Sequence, residues 1–244
     1  VAMLATGAEG RASEERDRHA LLLAMIDRLL DHQERVMRIV CDRFGANLAL
    51  VSISDDLAMD RDTCVPASLL PAVQSRMERL VAPARDHDLP LLFRSGGALE
   101  GILPILHRIG FSAVHPSGYS SADLLVWKNR WENKLAFMGN VPVELLARGS
   151  DVEIEKVVQD ACVNLAPGGG YVLASSGRIA DGVPPENFVA MARAVHEFGR
   201  YESLGVQPSP PSVEWPCAGA GSPTRSRIPE IDVDGRDTPA QHET

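Results

Sequence analysis

Apolar positions along the chain recur in two rhythms that take turns. Between Glu14 and Phe44, residues Leu22, Met25, Ile26, Leu29, Leu30, Val36, Ile39 and Val40 return at three- and four-residue steps, the period of one helix face. Gly45 stands where such a helix should stop. LALVSI (48–53) is different: a short unbroken apolar run, closed abruptly by Ser54, Asp55 and Asp56, which predicts a strand. Helical spacing resumes over Ala67 to His87 through Leu70, Val73, Met77, Leu80 and Val81. LPLLF (89–93) predicts a strand, Leu99 to Ile109 a helix, SAVH (112–115) a strand, Ser121 to Trp131 a helix and LAFMG (135–139) a strand. Ser150 and Glu153 make an S-x-x-E capping box for a helix reaching about Leu165. PGGG (167–170) is a turn and YVLAS (171–175) a strand; Pro184 and Pro185 suit the start of a last helix, and Gly199 its end.

Strand and helix thus alternate five times. Each strand is continuously apolar, so all five are expected to be buried on both faces, the mark of a parallel sheet covered by helices. Strand starts near 48, 89, 112, 135 and 171 give a mean step of about 31 residues, the size of one βα unit. The folded part is expected over 19–201, after a flexible N-terminus (1–18). From Glu202 onward Pro, Gly, Ser and charge dominate, and a tail over 202–244 that cannot bury enough apolar surface is expected to be disordered.

Composition adds limits. A net charge of -9 gives no sign of a nucleic-acid binder, whose footprint would be a basic face. No apolar run reaches the roughly 18 to 20 residues of a membrane span, and the first residues lack the basic start of a signal peptide, so the expected location is cytoplasmic. Cys41, Cys64, Cys162 and Cys217 form no CxxC pair and are expected to be reduced, mostly structural thiols.

In parallel α/β folds, ligands bind beyond the carboxyl ends of the strands. Here those ends carry Asp55 and Asp56; Arg94, Ser95 and Gly96; His115; Asn140; and Ser175, Ser176 and Arg178. Each has a structural alternative. The aspartates could cap a helix or form a turn, Arg94 could pair with one of them, Gly96 and Gly97 could serve a turn, His115 could bond a neighbouring carbonyl, and Asn140 could order its loop. Their recurrence at equivalent places points to one shared mouth.

Four stretches, ISDDLAM (53–59), LLFRSGGALEGILPILHRIGFSAVHP (91–116), LAFMGNVPVELLARGSDVEIEKVV (135–158) and LAPGGGYVLASSGRIADGVPPENFVAMARAVHEFGRY (165–201), resemble the uroporphyrinogen decarboxylase family, which also holds corrinoid-linked, zinc-dependent methyltransferases. The resemblance implies an α/β fold of the (β/α)8 TIM-barrel type, incomplete here at about five βα units, as if the first strands were missing. An incomplete barrel implies association as a homodimer or through open barrel edges.

The resemblance further implies a lyase of porphyrin biosynthesis. It would decarboxylate the acetate side chains of a tetrapyrrole, or a related carboxylated ligand, without a metal or organic cofactor. In that reading Asp55 and Asp56 are the catalytic candidates, as acid or as acceptors of ring N–H groups. Arg94 and Arg178 would clamp carboxylates, with Ser95, Gly96, His115, Asn140, Ser175 and Ser176 completing the binding wall. The alternatives are a corrinoid-binding methyltransferase that has lost its zinc ligands, since Arg94-Ser95-Gly96 and Ser175-Ser176-Gly177 supply no thiol or imidazole where the family's ligands stand, and a non-catalytic barrel segment that binds a partner. No nucleic acid or membrane partner is expected.

Overall fold

The computed structural model of the chain describes residues 12–55, 70–201 and 204, without the side chains of 12–20, 22 and 70. Asp56, Cys64, Cys217 and, apart from residue 204, the expected disordered tail lie outside the described residues. Helix α1 (Ala12–Phe44) is followed by β1 (Val51–Ser54), α2 (Leu70–Asp86), β2 (Leu91–Ser95), α3 (Leu103–Ile109), β3 (Ala113–Pro116) and α4 (Ser121–Arg130). Then come β4 (Ala136–Val141), α5 (Val143–Arg148), α6 (Asp151–Leu165), β5 (Tyr171–Ser175) and α7 (Pro185–Phe198).

The five strands form one parallel sheet in the order β1-β2-β3-β4-β5. Each strand lies beside the next in sequence, so right-handed crossovers lay the helices on one face. That is the winding of a barrel; a doubly wound sheet reverses direction at a switch point. Register fixes which side chains share a face. Ile53, Phe93, Val114, Phe137 and Tyr171 form one row across all five strands. This row packs against the helices, where Phe93, Val114 and Phe137 are buried with Leu103 and Leu106 of α3 and Leu124 and Trp127 of α4. A second cluster joins Ile154, Val158 and Cys162 of α6 to Ala190, Met191 and Ala194 of α7.

Successive side chains alternate across a strand, so the next row, Ser54–Arg94–His115, turns to the opposite face, the one a barrel closes around. Burial on both faces holds for Leu91, Leu92 and Phe93 of the inner strand β2. It fails at the edges: Ser52 and Ser54 of β1 are exposed, and so is Val172 of β5. The inward faces of these outer strands meet no strand across the sheet, so the expectation of five doubly buried strands is corrected there.

Local chemistry moves several boundaries. The run at 48–53 enters the sheet only at Val51, because Leu48 closes a 3-10 turn (Gly45–Asn47) with its N–H on the Gly45 carbonyl at 3.2 Å. Helix α3 starts at Leu103 rather than Leu99, with Pro104 in its first turn, where a missing N–H leaves no bond unmade. Gly110 ends it at φ 110°, a conformation open to glycine. The Ser150–Glu153 capping box forms as expected, and a second one, Ser120–Asp123, opens α4. Helix α5, only six residues long, is too short to show a period in the sequence. Among the described residues, no helix is long and apolar enough to cross a membrane.

Candidate functional site at the strand ends

The carboxyl ends of the strands share one rim, and His115 ties three of them together. It is 3% exposed, at the end of β3. Its Nε2 lies 2.9 Å from the Ser175 carbonyl oxygen at the end of β5, so the ring reaches past β4. The ring lies over Gly139 of β4, whose φ of 134° favours glycine; a Cβ there would meet His115 Cδ2 at 3.6 Å, an ordinary contact. A carbonyl only accepts, so Nε2 carries the proton in this bond. Burial holds the imidazole below its ordinary pKa; the Ser175 bond opposes that shift, and the charge of Arg94 adds to it. His115 is therefore neutral, and Nδ1 is left as an acceptor. Nδ1 is buried and has no hydrogen-bond partner among the described residues.

Arg94 is the register partner of His115 on the adjacent strand. Its side chain shares the inward face, half-buried, and its Nε is also buried without a hydrogen-bond partner among the described residues. Asp55 follows β1 directly; it is exposed, and its amide donates to the Arg94 carbonyl at 3.1 Å. Asp55, Arg94, His115 and Ser175 thus stand at one mouth. Asp56 lies outside the described residues, and Arg178 is exposed on the loop beyond β5.

The other candidate side chains bond to protein groups. Ser95 Oγ donates to the Gly96 carbonyl at 2.8 Å, and Ser175 Oγ to the Gly177 carbonyl at 2.7 Å. Asn140 holds the connection between β3 and α4, not the loop after its own strand: its Nδ2 donates to the Tyr119 carbonyl at 2.5 Å, and its Oδ1 accepts from Ser121 Oγ at 3.2 Å. Ser176 Oγ accepts from the Val143 N–H at 3.2 Å and so caps α5 from another loop.

Other residues that position the mouth carried no such signal in the sequence. Tyr119 donates to the Gly97 carbonyl at 2.6 Å and accepts from the Leu99 N–H at 3.1 Å, pinning the loop that follows Arg94. Tyr171 donates to the Gly139 carbonyl at 2.5 Å, and burial pushes its phenol pKa up. Asn187 is buried, and its Nδ2 donates to the Leu146 and Gly149 carbonyls at 2.9 and 3.0 Å, closing the end of α5. Asn187 belongs to the PPEN stretch, and Leu146 and Gly149 to VPVELLARGS. Two of the sequence stretches behind the resemblance are thus bonded to each other.

Parallel strands wound in sequence order, helices on one face and a polar carboxyl-end rim define an α/β protein of the (β/α)8-barrel type, represented by five βα units among the described residues. The chain belongs to the uroporphyrinogen decarboxylase (URO-D) family, whose sequence model matches residues 24–198. Comparison with curated proteins finds no match. Among solved structures, a methyltransferase from Methanosarcina mazei is similar in fold, with 21% identity and a TM-score of 0.59. The alignment covers 75% of this chain and 51% of that one, so this chain spans about half of that protein's length. The zinc of the family's methyltransferase branch does not fit the described residues at the strand ends. The strand ends offer Arg94, Ser95, Ser175 and Ser176, and among the described residues no three His, Cys, Asp or Glu side chains stand together as a metal site.

Proposed function

We propose that the chain binds a carboxylated tetrapyrrole, or a related polycarboxylate, and acts as a decarboxylase of the porphyrin-forming type. The observation that carries this reading is Arg94: a guanidinium at a strand end, facing inward, with a buried N–H that no described residue satisfies. Guanidinium groups in that state favour planar carboxylates, which take two parallel bonds. Decarboxylation replaces a carboxylate by a proton. The electrons of the broken C–C bond stay on the methylene carbon, CO2 departs, and a proton is delivered to that carbon. Asp55, whose amide bonds the Arg94 carbonyl, would take the acid role or accept a ring N–H, with Asp56 next to it in sequence. Arg178 would reach a peripheral carboxylate.

Titration with uroporphyrin, followed by absorbance and fluorescence, tests the reading. Binding is expected, and Arg94→Gln should weaken it about tenfold or more, the scale of a charge-assisted pair. A spectrum unmoved by the intact chain, or equal binding by the variant, overturns it.

One observation favours a second reading, a non-catalytic barrel segment that associates with a partner. Leu21, Met25, Leu29, Val36 and Ile39 of α1 are all exposed. Binding of uroporphyrin without any release of CO2 from uroporphyrinogen would favour that reading.

A further inference from the structure

Among the described residues, two polar atoms at the mouth lack partners, and they have opposite hydrogen-bonding senses. Arg94 Nε is a donor, while His115 Nδ1 is an acceptor, because Nε2 spends its proton on the Ser175 carbonyl. They sit on adjacent strands at paired register positions and face the same way. An anion alone satisfies only the arginine and leaves a buried acceptor without a proton to accept, which is costly.

We propose that Arg94 and His115 form a two-pronged recognition element for a ligand group that carries a hydrogen-bond donor, O–H or N–H, next to an anionic oxygen. The arginine takes the oxygen, and His115 Nδ1 takes the donor. This rests on the carboxylate reading of Arg94 and adds a requirement to it: His115 selects carboxylates that have a neighbouring donor over those that do not, and so favours the related polycarboxylate of that reading over the acetate arms of a tetrapyrrole. The role is one of specificity and positioning. The tautomer that makes it possible is set by the Ser175 carbonyl, which the ring reaches across β4. Burial and the Arg94 charge keep the ring from taking a second proton, which would turn Nδ1 into a donor and reverse the preference.

Glycolate and acetate separate the two ideas, since they differ by one hydroxyl. The full chain, labelled with 15N-histidine, would be titrated with each. The free protein should show His115 with Nε2 protonated and Nδ1 bare. Glycolate should bind about tenfold more tightly than acetate, the scale expected for satisfying a buried acceptor, and should shift the Nδ1 resonance. The preference should fall to about one in His115→Phe, and Arg94→Gln should weaken both ligands. Equal binding of the two anions, both lost in Arg94→Gln, overturns the donor requirement and leaves the carboxylate reading standing. No binding of either anion overturns both. A proton found on Nδ1 in the free protein overturns the inference whether or not the phenylalanine variant folds.

Discussion

His115 links the mouth to pH in a direction set by its surroundings. Its folded-state pKa lies below the ordinary 6.5. As pH falls through 6.5, the unfolded chain takes up a proton that the folded chain refuses, so stability present above that value is lost on acidification. Denaturation midpoints measured between about pH 7.5 and about pH 5.5 should fall in the parent, and His115→Phe should lack that part of the slope. Identical slopes would mean that the ring is not held neutral. At this scale the sequence was partly legible. Polar residues that close apolar runs marked where Asp55, Arg94, His115 and Asn140 would stand, because strand ends in a parallel sheet share a rim. What each side chain does there was not legible. Ser95 and Ser175 hold backbone carbonyls within two residues of themselves. A hydroxyl engaged with its own neighbourhood looks, in sequence, the same as one awaiting a ligand.

Among the elements, caps and ties decide more than propensity. Ser150 and Glu153 bond reciprocally at the start of α6, and Ser150→Ala should cost about 1 kcal/mol by urea denaturation. The same box depresses the Glu153 carboxyl pKa, first through the Ser150 backbone and then through its side chain. Its contribution is therefore present above 4.5 and lost as pH falls below that, so the gap between parent and Ser150→Ala should narrow in acid. Asn187→Ala would leave two carbonyls of α5 without their buried donor, for a loss of about 1 to 3 kcal/mol in the same assay. Capping boxes can be read from sequence because both partners lie within four residues. Helix α5 escaped notice because its ends are satisfied from afar, by Ser176 and Asn187, and six residues are too few to show a period.

For the molecule as a whole, the described sheet has two outer strands, and its first helix shows an apolar stripe. Leu21, Met25, Leu29, Val36 and Ile39 recur at the spacing of one helix face, and Leu21 is 62% exposed. The opposite side of α1 is tied to α2, where Arg79 meets Asp31 at 2.8 Å and Glu34 at 2.7 Å, so the stripe is what remains uncovered. The purified chain is expected to self-associate through this face, and Leu29→Glu with Ile39→Glu should move its light-scattering mass toward that of a monomer. A parent that is already monomeric at high concentration would refute this. The barrel-type fold was legible in outline because unbroken apolar runs, met at intervals of one βα unit, allow few other architectures. The half-exposed outer strands were not: burial depends on what lies across a sheet, and a strand's own residues do not record that.

The imidazole that crosses β4 to reach β5 has a mechanical consequence. Chain continuity between those strands passes through the Pro167–Gly170 turn, where Gly168 and Gly170 are exposed and a protease could enter. A single cut there would leave the severed pieces joined by the five register pairs of β4 and β5, the packing of α6 on α7 and the His115 brace. The nicked protein should therefore travel as one body until denaturant parts it, and the two halves, made separately, are suited to finding each other as a split reporter.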